Sequence, residues 1–363
     1  MTSVPKLQWG VVSVGGGARW PALRDGDDVL IASRLRLDED PDLGRALHSP
    51  TLNALIELGP PAWRDVLDAA AAYVPADARV PLASTTPVLP IQIPDYVDFY
   101  ASLEHATNFG RIFRPGMPPV RENWRQMPIG YHGRASTVVV SGTEIGRPRG
   151  QTGPGVLEPT AQLDLEAELG YVCGPTAAGP VAIDRAEEHI FGIVLVNDWS
   201  ARDIQRYEYE PLGPFLGKSF ATSMSAWITP LDVLTNARLA PPPQAPPPAP
   251  YLQATEPWLL DVDLSIEING EIVSRPNASG LYWTPAQMLA HLTVNGARLS
   301  AGDLFATGTI SGAQPQTEGS LAELHRGERW LQDGDEVTLR GAAGAVELAE
   351  VRGRVAAAAA DPT

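Results

Sequence analysis

The chain has 363 residues, 44% of them hydrophobic, which allows one large and one small domain around a sizeable core. A formal net charge of −16 argues against a nucleic acid or an anionic membrane as partner, although a local cluster of Arg and Lys can still receive an anionic small molecule. The single cysteine, Cys173, excludes an internal disulfide and is expected as a small buried apolar side chain.

The start, "MTSVPKLQWGVVSV", lacks a charged segment followed by an apolar one, so no secretory leader is expected. No apolar run reaches the ~18 residues of a membrane span, and a cytoplasmic protein is the expectation. Short β-like runs, "WGVVSV" and "DDVLIASRL", come first. Ser49 and Pro50 predict a helix start before "TLNALIELG", and "AWRDVLDAAAAYV" predicts a second helix. The Pro-, Ser- and Thr-rich stretch Val80 to Asp95 reads as a linker, so residues 1–86 form a small domain and 87–363 the main one. A helix capped by Asp95 is predicted next, with Asp98 and His105 seven apart on one face, roughly 10 Å along the axis. That separation suits an ion ligand and a base flanking one substrate, or equally an exposed Asp and a structural His.

Beyond it the signals are mostly β: "STVVVSG", "LDLEAELGY", "IFGIVLVND", "DVDLSIEINGEIVS", "GDLFATGT" and "GDEVTLRG". Asn269 and Gly270 mark a hairpin, and "WTPAQMLAHLTV" a helix. "LAPPPQAPPPAP" is a proline-rich surface loop, and "AAAAADPT" a frayed tail. Strands and helices do not alternate, which excludes a doubly wound parallel sheet and predicts a mostly β, α+β architecture.

"LDLEAELGY" alternates Leu163, Leu165, Ala167 and Leu169 with Asp164, Glu166 and Glu168. A strand with a row of carboxylates on one face needs either bulk water or a cation opposite it. Asp98, Glu166, Glu168 and Asp198 come from separate segments; brought together, they would make a hard oxygen site for Ca²⁺, Mg²⁺ or Mn²⁺. In "NDWSARDIQRYEYEPLGPFLGKSF", Ser200 and Asp203 form a capping box, and Arg202, Gln205 and Tyr209 share one helix face. That face is either solvated or a face of hydrogen-bond donors. Lys218 lies in a loop stiffened by Pro and Gly. No pair of His has zinc-ligand spacing, and "ATGTISG" is neither a P-loop nor a serine-nucleophile elbow.

The segments "DFYASLEHATNFG", "PIGYHGRASTVVVSGT", "LDLEAELGY", "EHIFGIVLVNDWSARDIQRYEYEPLGPFLGKSF", "YWTPAQMLAHLTVNG" and "GDLFATGTISG" resemble, in order, the fumarylacetoacetate hydrolase family. The long NDWSARDIQ–GPFLGKSF block is specific to fumarylacetoacetases, whereas acylpyruvases share only the fold and the ExE acids. The resemblance implies a small SH3-like N-terminal barrel, here shortened, before a large mixed β-sandwich or roll. It implies a cytoplasmic homodimer that hydrolyses 4-fumarylacetoacetate, a small-molecule diketo acid, at the last step of tyrosine and phenylalanine degradation. It further implies that Asp98, Glu166, Glu168 and Asp198 hold Ca²⁺ or Mg²⁺, with Lys218 and Thr222 near a second, Mg²⁺-type site. His105 matches the general base, Glu323 its orienting partner, and Arg202, Gln205 and Lys218 the oxyanion-stabilising group. Tyr100, Arg114, Tyr131, Gln205, Tyr209 and Thr309 match substrate contacts. Rival readings are a hydrolase of a related acylpyruvate or fumarylpyruvate, and a catalytically silent metal-binding relative.

Overall fold

A computed structural model describes residues 7–37 and 39–360. Met1 to Lys6, on which part of the leader expectation rests, and Asp361 to Thr363, the tip of the tail, lie outside the described residues. The architecture is mixed and dominated by sheet. A 13-stranded sheet runs from Arg79–Pro81 at one end to Gly130–His132 at the other, and a five-stranded sheet packs beside it. Among the described residues no helix is long and apolar enough to cross a membrane.

The centre of the large sheet is built from strands buried along their whole length. Ala167–Cys173 pairs antiparallel with Ile190–Asp198 on one side and with Leu304–Ala306 on the other. Alternating side chains of Ile190–Asp198 enter two cores: Ile193 and Leu195 join the larger, Val194 and Val196 the second. A strand with no wet face needs a near-continuous apolar run, which "IFGIVLVND" supplies until Asn197 and Asp198 end it. The five-stranded sheet contributes Leu264, Ile266, Val337, Leu339 and Val351 to the larger core.

At the N-terminus Gln8–Val14, Arg19–Asp25 and Asp28–Ile31 form a meander. It continues the large sheet through Trp9 opposite Ile228 and Gly10 opposite Trp227. The sheet path stays open, and no closed barrel is found among the described residues. The stretch expected as a linker overlaps Arg79–Pro81 and contains Thr85–Val88, which pair with Asp28–Ile31 and Gln8–Val14. Three helices, not two, lie between: Pro41–Leu47, Asn53–Leu58 and Pro60–Ala72. Asp40 caps the first, whereas Asn53–Leu58 has no side-chain cap, so Ser49 and Pro50 start no helix.

Two further expectations fail where tertiary pairing overrides local pattern. Tyr96–Phe99 is a strand, parallel to Leu304–Ala306, and the helix begins only at Leu103, with Ser102 accepting from the His105 N–H. Asp98 and His105 therefore do not share a helix face. The helix Arg202–Glu208 has Ala201 at its N-cap and no side-chain cap. Ser200 instead bonds the Asp198 carbonyl, and Asp203 accepts from the Ala161 N–H. Asn269 and Gly270, both at positive φ, make the expected hairpin turn, and Thr284 and Gln287 form a capping box at Pro285–Thr293.

Gly308 ties the loop after Leu304–Ala306 to the strand that carries Asp98. Its φ is +74°, and a Cβ there would sit 2.2 Å from the Phe99 carbonyl oxygen. Gly308→Ala is expected to cost about 2 kcal/mol or more, read as a lower Tm. A melting temperature equal to that of the wild type would show that this loop can yield without strain.

Candidate active site

The four carboxylates expected from separate segments converge. Asp98 is on Tyr96–Phe99, Glu166 in the break between Leu163–Asp164 and Ala167–Cys173, Glu168 on Ala167–Cys173, and Asp198 at the end of Ile190–Asp198. One oxygen from each lies within 4.8 Å of the others, and all four residues are buried. The acidic row of "LDLEAELGY" thus faces no bulk water. The strand is interrupted at Leu165 and Glu166, which lets Glu166 form a bridge to Ser320.

Two cations and two hydroxyls meet part of this charge. Lys218 Nζ donates to Asp198 Oδ2 at 2.6 Å and to Glu166 Oε2. Arg202 donates to Glu166 Oε1 at 2.6 Å, to Asp164 Oδ2 at 2.8 Å and to Gln205 Oε1 at 3.0 Å. Tyr131 donates to Asp98 and Asp198, and Thr222 to Asp198 at 3.3 Å. Asp98 Oδ1 and both Glu168 oxygens are buried with no hydrogen-bond partner among the described residues. Buried carboxylate oxygens with no donor are the ligand set of a hard dication, and the cluster could hold one.

Titration follows the same division. Burial, then the Asp198 charge, pushes Asp98 well above the usual carboxylate range; burial, then Asp98, does the same to Glu168. Burial also raises Asp198 in spite of Lys218. Burial acts upward on Glu166 too, but Lys218 and Arg202 outweigh it and hold that carboxyl low.

His105 stands beside this cluster. Its Nδ1 is 2.7 Å from Glu323 Oε2, and its Nε2 is 3.9 Å from Glu166 Oε1. Glu323 also accepts from Asn108 at 3.0 Å, Ser311 at 2.9 Å and Ser320 at 2.8 Å. Burial pushes Glu323 upward, but the His105 side chain and these donors bring it below the usual range, so it stays ionised. An ionised carboxylate only accepts, so Nδ1 carries a proton toward Glu323, and in the neutral ring the lone pair is on Nε2. Tyr100 stands edge-on to the imidazole, ring centroids 5.2 Å apart, and Phe109 lies 4.3 Å away.

The cluster opens into a cavity of about 340 Å³ whose wall includes Tyr100, Arg114, Tyr131, Gln205 and Tyr209. Arg202, Gln205 and Tyr209 do share a face, and it turns to this cavity rather than to bulk solvent. Thr309 is buried, its hydroxyl without a partner among the described residues, and is not on the cavity wall.

Several groups escaped the sequence reading. Asp164 accepts from Arg202 and from the N–H groups of Leu165, Leu321 and Ala322, so one carboxylate seats both Arg202 and the short helix Leu321–Leu324. The S-x-x-E spacing of Ser320 and Glu323, and the i, i+3 spacing of His105 and Asn108, carried usable signals. Nothing local marked Ser311.

These groups equip the chain for hydrolysis beside a bound cation. The family model for the C-terminal region of fumarylacetoacetate (FAA) hydrolases matches residues 96–356. The chain is 41% identical to the Homo sapiens fumarylacetoacetase over 93% of its own length and 91% of the relative's. It is 41% identical to the Oryza sativa fumarylacetoacetase over 88% and 84% of the two chains. Among solved structures, a fumarylacetoacetate hydrolase from Exiguobacterium antarcticum aligns with a TM-score of 0.64 at 18% identity, covering 97% of this chain and 99% of that one. A maleylpyruvate hydrolase from Sphingobium aligns with a TM-score of 0.59 at 17% identity, covering 96% and 99%. At those identities the structural matches speak to fold alone. This chain belongs to the fumarylacetoacetate hydrolase family.

The raised carboxylates set a sign for the pH dependence of stability. Without a cation, folded Asp98 and Glu168 bind protons more tightly than their unfolded counterparts, so their contribution is greatest at low pH. It is lost as pH rises from the ordinary carboxylate value of about 4. Glu166, held low, acts in the opposite sense, but only near and below the ordinary carboxylate value of about 4; above about pH 5 both its states are ionised and it adds little slope. In chelator, the Tm is expected to fall as pH rises from about 5 to 8, and an added divalent cation to restore it. A chelated Tm that does not fall, or no response to cations, would contradict this reading.

Proposed function

We propose that this protein hydrolyses the C–C bond of 4-fumarylacetoacetate to fumarate and acetoacetate, the last step of tyrosine and phenylalanine degradation. The carrying observation is near-full-length identity of 41% to fumarylacetoacetases, together with a buried four-carboxylate cluster and a His–Glu pair beside one cavity.

In this reading Asp98, Glu166, Glu168 and Asp198 would hold the cation, Ca²⁺ or Mg²⁺, and Lys218 and Thr222, both on Asp198, would lie near a second, Mg²⁺-type site. When bound, that cation supplies Lewis-acid polarisation of the substrate's dioxo unit. His105, fixed by Glu323, takes a proton from water at Nε2. The hydroxide oxygen attacks the carbonyl carbon of the fumaroyl group itself, so that the bond to the neighbouring CH2 is the one to break. Arg202 has five N–H groups and donates three of them to Asp164, Glu166 and Gln205; Lys218 has three and donates two to Glu166 and Asp198. The remaining N–H groups, with the Gln205 amide, stabilise the developing oxyanion, each such donor contributing about 3 kcal/mol. The C–C bond then breaks, its electron pair passing to the acetoacetate carbon, which takes up the proton held on His105. Tyr100, Arg114, Tyr131, Gln205 and Tyr209, all on the cavity wall, serve the substrate, with Arg114 meeting a terminal carboxylate, whereas Thr309 lies off that wall.

We assign this chemistry to residues 87–363 and read 1–86 as the small SH3-like part. We also infer a cytoplasmic homodimer whose partner is the small-molecule substrate.

Loss of the diketone absorbance and release of fumarate, dependent on a divalent cation, are the expected outcome with 4-fumarylacetoacetate. Faster turnover of an acylpyruvate or of fumarylpyruvate would move the assignment to that relative. No cleavage of any of these compounds with cation present would indicate a silent protein. His105→Ala is expected to lower kcat by about 10³ while the cation still raises the Tm. Full activity in that variant would remove His105 as the base. Glu166→Gln is expected to weaken cation binding measured by calorimetry, and an unchanged affinity would take Glu166 out of the ligand set.

A further inference from the structure

The helices Leu103–Phe113 and Arg202–Glu208 meet through two Arg–aromatic rungs. Arg202 lies over Phe109, its Cζ 4.6 Å from the ring centroid, and Arg206 lies over Phe113 at 4.9 Å. The two rings stack 4.8 Å apart. Both arginines and both rings line the cavity. Position i+4 sets Arg206 about 6 Å further along the helix axis than Arg202.

The rungs differ in one respect. Arg202 is fully buried, and Asp164 and Glu166 match its charge. Arg206 is exposed and makes no ion pair or hydrogen bond among the described residues; the Phe113 ring is its one contact of a specific kind. In a chain of net charge −16, a cavity-lining guanidinium with no carboxylate beside it is unusual. Next to Phe113 stands Arg114, also on the cavity wall, whose Nε is buried without a partner and whose terminal N–H donates only to the Pro119 carbonyl. The cavity therefore has a carboxylate-rich inner end and an outer end where two guanidiniums lack an anion.

We infer that Arg206, stacked on Phe113 and acting with Arg114, is a specificity-determining residue that binds the second carboxylate of a dicarboxylic diketo acid. This inference rests on the function proposed above. With the dioxo unit at the carboxylate-rich end, the longer and stiffer acyl arm, with its trans double bond, extends outward to the Arg206 rung. A planar guanidinium offers two parallel N–H groups to a carboxylate, and the ring beneath holds the fork in place. A monocarboxylic diketone has nothing to place there.

The test compares 4-fumarylacetoacetate with 3,5-dioxohexanoate, which keeps the dioxo acid and replaces the acyl arm's alkene and carboxylate with a methyl group. Arg206→Gln keeps the length and polarity of the side chain and removes its charge. It is expected to lower the ratio of kcat/KM for the diacid over the monoacid on the order of tenfold, mainly through KM. It is also expected to weaken inhibition by fumarate, with the Tm unchanged. A ratio equal to that of the wild type, in an enzyme that cleaves the diacid, would overturn the role of Arg206. A wild type that cleaves neither compound would overturn the proposed function instead.

Discussion

Four buried carboxylates whose oxygens crowd within 4.8 Å are the constraint on which the rest of this structure turns. At that separation each like-charged pair costs about 3–4 kcal/mol at an effective dielectric constant near 20. Surface ion pairs, at about 0–1 kcal/mol, cannot offset such repulsion from a distance. Compensation has to be local, and it is uneven. Arg202 and Lys218 hold Glu166 low and Lys218 faces Asp198, but Asp98 and Glu168 receive no cationic side chain. The cluster therefore protonates or takes a cation. The strands that present it are buried on both faces, so the sheet holds the carboxylates together against their repulsion.

The same compensation orders the polar groups beside it. Arg202 and Lys218 are each held by two carboxylates, Asp164 and Glu166 for the first and Glu166 and Asp198 for the second. His105 touches the cluster only on its Nε2 side: Nδ1 is committed to Glu323, and Glu323 is surrounded by Asn108, Ser311 and Ser320. The Glu323 carboxylate stays ionised though buried because the His105 side chain faces it, with the neutral donors Asn108 and Ser320 adding to that effect.

Local patterns in the sequence predicted many elements and few junctions. The apolar run before Asn197 and Asp198, the Asn269–Gly270 turn and the helix in "WTPAQMLAHLTV" each depend on neighbours within a few residues, and each is present. The strand Tyr96–Phe99 was read as helix because its partner, Leu304–Ala306, lies some two hundred residues away. Ser200 looked like a cap, yet its hydroxyl bonds the Asp198 carbonyl. Resemblance named most residues of the site, but it was silent on the groups that hold them. Asp164 looked like one more acid in an alternating strand; its four donors come from Leu165, Arg202, Leu321 and Ala322, and only the folded chain assembles them.

Asp164 also fixes how variants of this site must be interpreted. One of its oxygens receives Arg202, and both receive the first N–H groups of the helix that carries Glu323. The groups assigned to proton transfer and to oxyanion stabilisation thus hang from a single hinge pin. Losses measured at Arg202, Glu323 and Asp164 will be sub-additive when combined, because each substitution slackens the same joint. A ranking of these residues by single substitutions would count that joint three times.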